Sequence, residues 1–410
     1  MRKAWLFCCV AGLGWPAQAE PLSFSGAIER AASDSPLVEA RAASVRAAEL
    51  SVRPADQLPD PQLVLGLENV PVEGPDAYRL DRDFMTMQSI GIMQDMPSGA
   101  ERRARRAMAE AQAGRAEAGL DLARLEARLN AARAWISAYF AEQRVDVLTT
   151  LSREARASAE AARGRLAAGA ASVDETIAAE IEAARIEDRS ADAAAAVIAA
   201  RAELRRWIGD DASEPLAAEA PVFTVDAEHL RAHLARHPGL LAFAAEAALA
   251  DANLNMARAE RVPDWSWTAM YQRRDDAYGD MASVEVRIGL PLFQAWRQGP
   301  LVEARRADQR AVASERLATE REHLAMLEAG LAEYVATAAN LERARASRLP
   351  LARQRADAAA GAFAGGTMNA SALIAARRDA LEAELDVIEL SERLAMLGAA
   401  LTLQYGEVMP

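Results

Sequence analysis

Three histidines with regular spacing are the residues of this sequence best suited to metal chemistry. His229, His233 and His237 follow one another at four-residue intervals, and on a helix this spacing could bring two imidazoles to one metal ion. We predict such a helix, ended by Pro238. Because no cysteine or second ligand-bearing element is recognisable nearby, we interpret the three as a solvent-facing helix surface, with metal contact as the alternative.

Three methionines form a second candidate set. Met85, Met87 and Met93 share one face of a strand predicted over Phe84–Gln94. Thioether sulfur prefers soft ions such as copper(I), which suggests a path for copper or silver. Methionine also fills apolar strand faces, and we favour that interpretation. No Ser-His-Asp set, paired-carboxylate motif or phosphate-binding loop stands out, so we expect neither catalysis nor a cofactor.

The N-terminus predicts export from the cytoplasm. A basic head precedes the apolar stretch Ala4–Trp15, and small residues ending at Ala19 form a cleavage site. These are the three parts of a secretory signal peptide, which is too short to span a bilayer. We predict a signal peptide at 1–19. The mature chain is then expected in the periplasm, the outer membrane or the medium.

Composition argues against disulfides, nucleic-acid partners and transmembrane helices in the mature chain. Cys8 and Cys9 are the two cysteines of the chain, so the predicted mature protein has none and must be stabilised without disulfides. The formal net charge of the 410 residues is −13, which argues against nucleic acid as a partner. No mature segment approaches the 18 or so apolar residues of a transmembrane helix.

The chain contains an internal duplication. ARRA at 104–107 recurs two hundred positions later at 304–307, and LPDP at 58–61 corresponds to VPDW at 262–265. This spacing far exceeds the 20–50 residue units of solenoid proteins, so each half must be a complete structural unit. We predict a first repeat at 20–209, a linker at 210–226 and a second repeat at 227–410.

Each repeat contains one long helical tract. The tracts, at about 98–208 and about 300–405, are dominated by Ala, Arg, Glu and Leu, which are strong helix formers. Gly169 interrupts the first and Gly365-Gly366 the second, each followed by Ser or Asn. Glycine after one helix and a capping residue before the next predict an antiparallel helical hairpin. Pro350 is expected to kink the long arm of the second hairpin.

Alternating segments predict two strands in each repeat, at about 62–70 and 84–94, then at about 264–272 and 281–291. In the third of these, Trp265, Trp267 and Tyr271 share a face, where they would suit the interfacial aromatic belt of a membrane barrel. About ten residues suffice to cross a bilayer as a tilted strand, and one apolar plus one polar face is the pattern of an outer-membrane barrel strand. A soluble four-stranded sheet on a helical bundle is the alternative.

Four strands are too few to close a barrel. The smallest barrels need about eight, and lipid does not tolerate open strand edges because their backbone groups find no partner there. Several chains must therefore pool their strands, and three chains of four strands would give twelve.

Four stretches of the sequence resemble the TolC-like outer membrane efflux proteins, and more narrowly their heavy-metal efflux subunits. They are AIERAASDSP at Ala27–Pro36, LPDPQLVLGLE at Leu58–Glu68, the segment Ile90–Arg106, and RLAAGAASVDETIAAE at Arg165–Glu180. The resemblance extends over the whole mature chain. It implies a mainly α fold with a small β part: a trimeric α-barrel of long hairpins and a 12-stranded outer-membrane β-barrel, with a large periplasmic portion.

The resemblance also implies a function and its partners. The protein would be a homotrimeric, non-catalytic duct that exports metal ions or small toxic compounds, in contact with outer-membrane lipid. A periplasmic adaptor and a proton-driven inner-membrane pump of the resistance-nodulation-division type would complete the system. The tip residues that would contact the adaptor are Arg165, Leu166, Gly169, Ser172 and Asp174 in the first hairpin, and Gly365, Gly366, Thr367 and Ser371 in the second.

One feature of the family cannot be carried over. Many relatives have acidic residues just after the second tip, whereas Met368–Ala376 reads MNASALIAA. No acidic ring at the aperture is therefore predicted.

Two other functions remain as alternatives: an outer-membrane duct for type I protein secretion, and a periplasmic coiled-coil scaffold without a pore.

Overall fold

The computed structural model describes residues 21–368 and 370–406. The predicted signal peptide at 1–19 lies outside them, as does Asn369. In chain order the regular elements are α1 (Phe24–Asp34), α2 (Pro36–Ala55), β1 (Gln62–Glu68), β2 (Met87–Met96), α3 (Gly99–Ala167), α4 (Val173–Ile208), α5 (Ala227–His233), α6 (Pro238–Ala259), β3 (Trp265–Arg273), β4 (Met281–Ile288), α7 (Gln298–Arg343), α8 (Leu349–Ala364) and α9 (Ala370–Tyr405). The fold is thus mostly helical with one small sheet.

The described chain divides into two compact units, and each draws on both sequence repeats. The sheet unit comprises Pro36–Leu125 and Glu228–Glu328. The hairpin unit comprises the described residues up to Ser35, then Glu126–Ala227, then the chain from Ala329 onward.

One antiparallel sheet in the order β1-β2-β3-β4 organises the sheet unit. Its central pair joins the two repeats, with register running from Gln88 opposite Arg273 to Met96 opposite Trp265. Asp264, from the VPDW motif, lies just before β3 and links it to the residues that follow β2 and β4. Its Oδ1 accepts a hydrogen bond of 2.6 Å from the Ser98 backbone N–H, and its backbone oxygen accepts one of 2.8 Å from Gly289 N–H.

In the hairpin unit the core forms around Trp135 of α3, which is fully buried. Its indole Nε1 donates to the Leu22 backbone oxygen at 3.1 Å. Leu22 in turn forms an isolated parallel bridge with Leu216, while Phe24 packs edge-on against the Trp135 ring. The beginning of the described chain and the segment after α4 are thereby fixed against α3.

The helices of the hairpin unit pack through small side chains. Ala159 of α3 clusters with Ala179 and Ala183 of α4, and Ile374 of α9 packs against them. Alanine allows helices to approach closely at little cost in side-chain entropy. α3 has 69 residues, which corresponds to a length of about 100 Å at 1.5 Å per residue.

Pro350 lies in the first turn of α8, directly after a π-helical turn at Ala344–Arg348. Proline lacks the N–H that an α-helical turn requires, and a π-turn is one way to interrupt that ladder of hydrogen bonds. The long arm of the second hairpin thus accommodates Pro350 through a local change of helix type between α7 and α8.

The prediction of one helix carrying all three histidines is wrong. α5 ends at His233, a 3-10 turn follows at Leu234–Arg236, and α6 begins at Pro238. Proline suits the first position of a helix, where its missing N–H costs nothing. His237 is the N-cap of α6, since its Nδ1 accepts a 3.0 Å hydrogen bond from Gly239 N–H. Pro238 therefore starts a helix, and does not end one.

Candidate functional site

The four strands present one mostly apolar face and one mostly polar face. Residues directly opposite one another share a face, as Leu65, Ile90 and Tyr271 do along one row. The apolar face carries Leu63, Leu65, Leu67, Ile90, Ile92, Trp265, Trp267, Ala269, Tyr271, Val284, Val286 and Ile288. The polar face carries Ser89, Asp95, Ser266, Thr268, Gln272, Ser283, Glu285 and Arg287, with several methionines and glycines.

Exposure on this sheet is the reverse of what a water-soluble protein requires. On the apolar face Leu65 is 67% exposed and Val284 is 75% exposed. On the polar face Ser89 and Thr268 are only 6% and 7% exposed. A soluble antiparallel sheet buries its apolar side, whereas a membrane barrel turns it outward to lipid. The arrangement argues against the soluble-sheet alternative.

Exposed aromatic residues stand at both ends of the apolar face. Trp265 begins β3, and Phe293 and Trp296 follow β4, with Trp296 85% exposed. At the other end, Tyr271 is exposed and Phe84 packs near Tyr278 with ring centroids 6.4 Å apart. Two aromatic girdles flank the apolar band of outer-membrane barrels.

The sequence prediction found only part of these aromatic belts. Trp267, which it included, is half-buried. It missed Phe293 and Trp296 because both lie beyond the alternating segment of β4. Their place a few residues after an apolar strand end is the signal that could have identified them.

Both edges of the sheet are open within the described residues. β1 pairs there with β2 alone, and β4 with β3 alone. An open edge presents unpaired backbone N–H and C=O groups and is a template for a strand from another chain.

The predicted methionine face is corrected by the structure. β2 begins at Met87, and Met85 lies before it with its backbone N–H donating to Asp83 Oδ1 at 2.7 Å. Met87 and Met93 lie on the polar face, so the favoured interpretation of apolar filling is wrong. Met270 lies on the same face and packs against Gly91. A Cβ at Gly91 would lie 2.5 Å from the Met270 Cγ.

The first hairpin tip is a compact glycine turn. Gly169 has φ of 72°, a conformation that favours glycine. Gly169 N–H donates to Leu166 O at 2.9 Å, and Ala170 N–H to Arg165 O at 2.8 Å, which together close the end of α3 as a Schellman motif. Ser172 then caps α4 in a capping box with Glu175.

The second tip repeats this geometry. Gly366 has φ of 71°, and its N–H donates to Phe363 O at 3.0 Å, while Thr367 N–H donates to Ala362 O at 2.9 Å. Gly365 has φ of −78°. Gly366 is therefore the counterpart of Gly169. Ser371 lies in the first turn of α9.

The two tips touch each other inside the hairpin unit. The Arg165 guanidinium carbon lies 4.7 Å from the centre of the Phe363 ring, a cation–π contact. Further along, Arg377 of α9 donates to Ser158 Oγ of α3 at 2.9 Å. The structure thus brings Arg165 to the second tip, while Gly169, Ser172 and Asp174 remain exposed on the first.

An apolar stripe next to the first tip was missed by sequence reasoning. Val173, Ile177 and Ile181 recur every four residues along α4, and all three are exposed. Their spacing places them on one helix face. That periodicity was visible in the sequence, but it did not reveal that this face stays uncovered within one chain.

Comparisons with known proteins agree with this geometry. Residues 27–210 match the family model described as Outer membrane efflux protein. The cobalt-zinc-cadmium resistance protein CzcC of Cupriavidus metallidurans is 28% identical over 375 residues, covering 90% of this chain and 86% of the relative. Among the described residues, no helix is both long enough and apolar enough to cross a membrane.

Solved structures show the same fold. A membrane protein from Pseudomonas aeruginosa superposes with a TM-score of 0.80 at 16% identity, covering 93% of this chain and 92% of the other. CusC, whose structures concern transmembrane channel formation, gives 0.76 at 14% identity, covering 94% and 90%. The predicted resemblance to TolC-like proteins is confirmed, and so is the outer-membrane location with a large periplasmic part.

Proposed function

We propose, from the similarity of this chain to the TolC-like outer membrane efflux proteins, that three copies form one passive export duct. Each copy would supply four strands to a twelve-stranded barrel and two helical hairpins to a periplasmic α-barrel. The duct performs no chemistry and uses no cofactor. Its energy comes from an inner-membrane pump.

The inverted sheet with two open edges carries this proposal. Its exposed apolar face suits lipid, and its polar face suits a wet lumen. β1 and β4 run in opposite directions, so β4 of one copy would extend the antiparallel pattern onto β1 of the next. Closure of the ring would satisfy every strand edge, as a lipid environment requires.

The hairpin tips are the proposed contact with a periplasmic adaptor. Both tips expose backbone and polar groups at Gly169, Ser172, Gly366 and Thr367. The stripe that begins at Val173 adds an apolar surface beside the first tip. A surface that combines a small apolar area with polar groups is typical of specific protein contacts. The adaptor would couple the duct to a proton-driven pump of the resistance-nodulation-division type.

The proposed cargo is a divalent metal ion or a small toxic compound. Support for metal comes from the similarity to a cobalt-zinc-cadmium resistance protein over 90% of this chain. The polar sheet face that would line the lumen carries Glu285 and Arg287 among hydroxyl and thioether groups, which suits hydrated ions.

The test has two arms. Purified protein in planar bilayers should give stepwise single-channel conductance, and the gene should restore cobalt, zinc or cadmium resistance to a strain that lacks it. Absence of conductance would favour the poreless scaffold. Conductance together with restored protein secretion through an ATP-driven exporter, and no metal resistance, would favour the type I secretion duct.

A further inference from the structure

All four histidines of the 410-residue chain lie around the junction of α5, α6 and α7. They form two ring pairs within the sheet unit. The His229 and His233 rings have centroids 4.1 Å apart and are tilted by 31°. The His237 and His323 rings have centroids 4.0 Å apart and are tilted by 41°. The two pairs differ in which ring nitrogens are committed to the backbone.

The pair of His237 and His323 is structural. Nδ1 of His237 accepts a hydrogen bond from Gly239 N–H at 3.0 Å, so the neutral ring carries its proton on Nε2. The lone pair that a metal would need is committed to the cap of α6. His237 is also only 6% exposed, which keeps hydrated ions away from it.

In the pair of His229 and His233, the ring of His233 has its proton on the other nitrogen. Nδ1 of His233 lies 2.8 Å from the backbone oxygen of His229. A carbonyl oxygen can only accept, so Nδ1 must carry the proton and the lone pair of the neutral ring is on Nε2. Metal-binding histidines are commonly oriented by such a bond from the other nitrogen to a carbonyl.

We propose that His229 and His233 bind one divalent late transition-metal ion, of the zinc, nickel or copper(II) class. Two imidazoles on one ion at about 2.0–2.1 Å place their ring centres roughly 4.5–5 Å apart. The observed ring-centre distance of 4.1 Å must therefore widen by about 0.5–1 Å when an ion binds. His229 is exposed and His233 half-buried, so an ion can approach from solvent.

The site is open and exchangeable. Among the described residues no group of three His, Cys, Asp or Glu side chains could hold a metal, so water completes the coordination shell. Structural zinc sites have four protein ligands, and sites with fewer keep positions for water. This property stands apart from the proposed duct and would hold even in a protein without a pore.

A bound ion would reinforce α5. This helix has only 7 residues, too few to be stable alone. It is anchored to α7 by Arg231, whose Nε and Nη2 donate to the two carboxylate oxygens of Glu328 at 2.6 and 2.8 Å. An ion joining His229 to His233 would add a second constraint across its turns.

The test uses the purified full-length protein with an affinity tag that contains no histidine. Zn²⁺ binding is measured by calorimetry, with Mg²⁺ as the control ion, which prefers oxygen ligands. Carbethoxylation of each histidine by diethyl pyrocarbonate is followed by mass spectrometry with and without Zn²⁺. We expect one Zn²⁺ per chain, with protection of His229 and His233 and none of His323.

The matched variants are H229Q and H323Q. Loss of one ligand in H229Q should weaken Zn²⁺ binding on the order of tenfold or more, the scale seen even for outer-shell partners, while H323Q should bind like the parent. Unchanged affinity in H229Q, protection confined to His323, or no Zn²⁺ binding at all would overturn the proposal. Because His229 is exposed, the variant should fold, and an unchanged oligomer on size exclusion would verify this.

Discussion

At the scale of single residues, Asp264 joins the sheet to the beginning of α3. It accepts a backbone hydrogen bond from Ser98 and lies beside Glu101. Burial, and then the contact with Asp264, raise the pKa of Glu101, while Arg105 opposes that rise. The Glu101 carboxyl group and the residue before α3 are therefore both in contact with the Asp264 side chain, and Arg105 interacts with the same Glu101.

Replacement of Asp264 should loosen this junction. D264A leaves the Ser98 N–H without its acceptor, and an unsatisfied buried donor costs about 1–3 kcal/mol. We expect the proposed trimer to dissociate at a lower temperature in detergent gels when it is formed by D264A. D264N keeps an acceptor oxygen, so its dissociation temperature should lie closer to that of the parent. Equal dissociation temperatures for the two variants and the parent would contradict the role given to Asp264.

His237 should make the stability of the protein depend on pH. Burial, and then the neighbouring His323, lower the pKa of His237 to about 4. An unfolded histidine titrates near pH 6.5, so the unfolded state binds the proton first. The contribution of neutral His237 to the free energy of unfolding is therefore fully present above pH 6.5 and is lost as the pH falls towards 4.

The variant H237N keeps a side-chain acceptor for the α6 cap and removes the titration. Its melting temperature should fall less steeply between pH 6.5 and 4 than that of the parent. A slope in H237N as steep as in the parent would contradict this assignment.

At the residue scale, local spacings could be predicted from the sequence, but long-range contacts could not. The four-residue spacing of His229 and His233 is local and was readable. The contact of His237 with His323 joins positions 86 residues apart, which no spacing rule connects. The role of His237 also depended on Pro238 starting a helix, and the sequence pattern allowed Pro238 either to start or to end one.

At the scale of elements, the hairpins depend on two glycines with positive φ. Gly169 has φ of 72° and no atom lies within 4 Å of its missing Cβ, so its backbone conformation alone requires glycine. Proline locks φ near −65°. We predict that G169P abolishes efflux while the protein still inserts in the outer membrane, measured by metal resistance and by membrane fractionation.

Gly164 supplies the matched control for that prediction. It lies inside α3, and no atom lies within 4 Å of its missing Cβ. G164A should improve helix propensity by roughly 1 kcal/mol and leave resistance intact. Full resistance in G169P would show that the first tip is not needed for coupling to the pump.

The second tip permits a sharper comparison of neighbouring glycines. Gly366 has φ of 71° and Gly365 has φ of −78°. G366A should therefore cost about 1–2 kcal/mol through the left-handed backbone conformation, and G365A should cost little. Amide hydrogen exchange in the last turn of α8 should accelerate in G366A alone. Equal acceleration in both variants would contradict the assignment.

The elements differ in how well the sequence predicted them. The side-chain alternation of β1 and β4 follows from local period, so the apolar faces were predictable. The start of β2 was not, because the segment Phe84–Thr86 alternates as a strand but is held in the connection by Asp83 and Asn69. Likewise, Gly365-Gly366 marked a helix end, but the sequence alone did not decide which glycine takes the positive φ.

At the scale of the whole molecule, we propose that the open sheet closes with strands from other copies. The sheet order within one chain leaves β1 and β4 at opposite edges. Neighbouring strands are about 4.8 Å apart, so the two edges of one chain are separated by roughly 14 Å across three spacings. A disulfide needs Cα atoms within about 7 Å and so cannot join β1 to β4 inside one chain.

Cysteine cross-linking between β4 of one copy and β1 of the next tests this closure. The two native cysteines, Cys8 and Cys9, lie in the predicted signal peptide. L65C would be combined in turn with V284C, V286C and I288C on the same outer face. L65C with I90C, which are directly opposite in one chain, is the control for oxidation. L65C with E285C, on opposite faces, is the control for specificity.

We predict that at least one same-face pair forms disulfide-linked dimers and trimers on non-reducing gels of outer membranes. The intrachain control should stay monomeric with its thiols oxidised, and the opposite-face pair should stay monomeric with its thiols reduced. If all three same-face pairs remain monomeric while the intrachain control oxidises, the edges do not meet between copies. The closed-barrel account would then be contradicted.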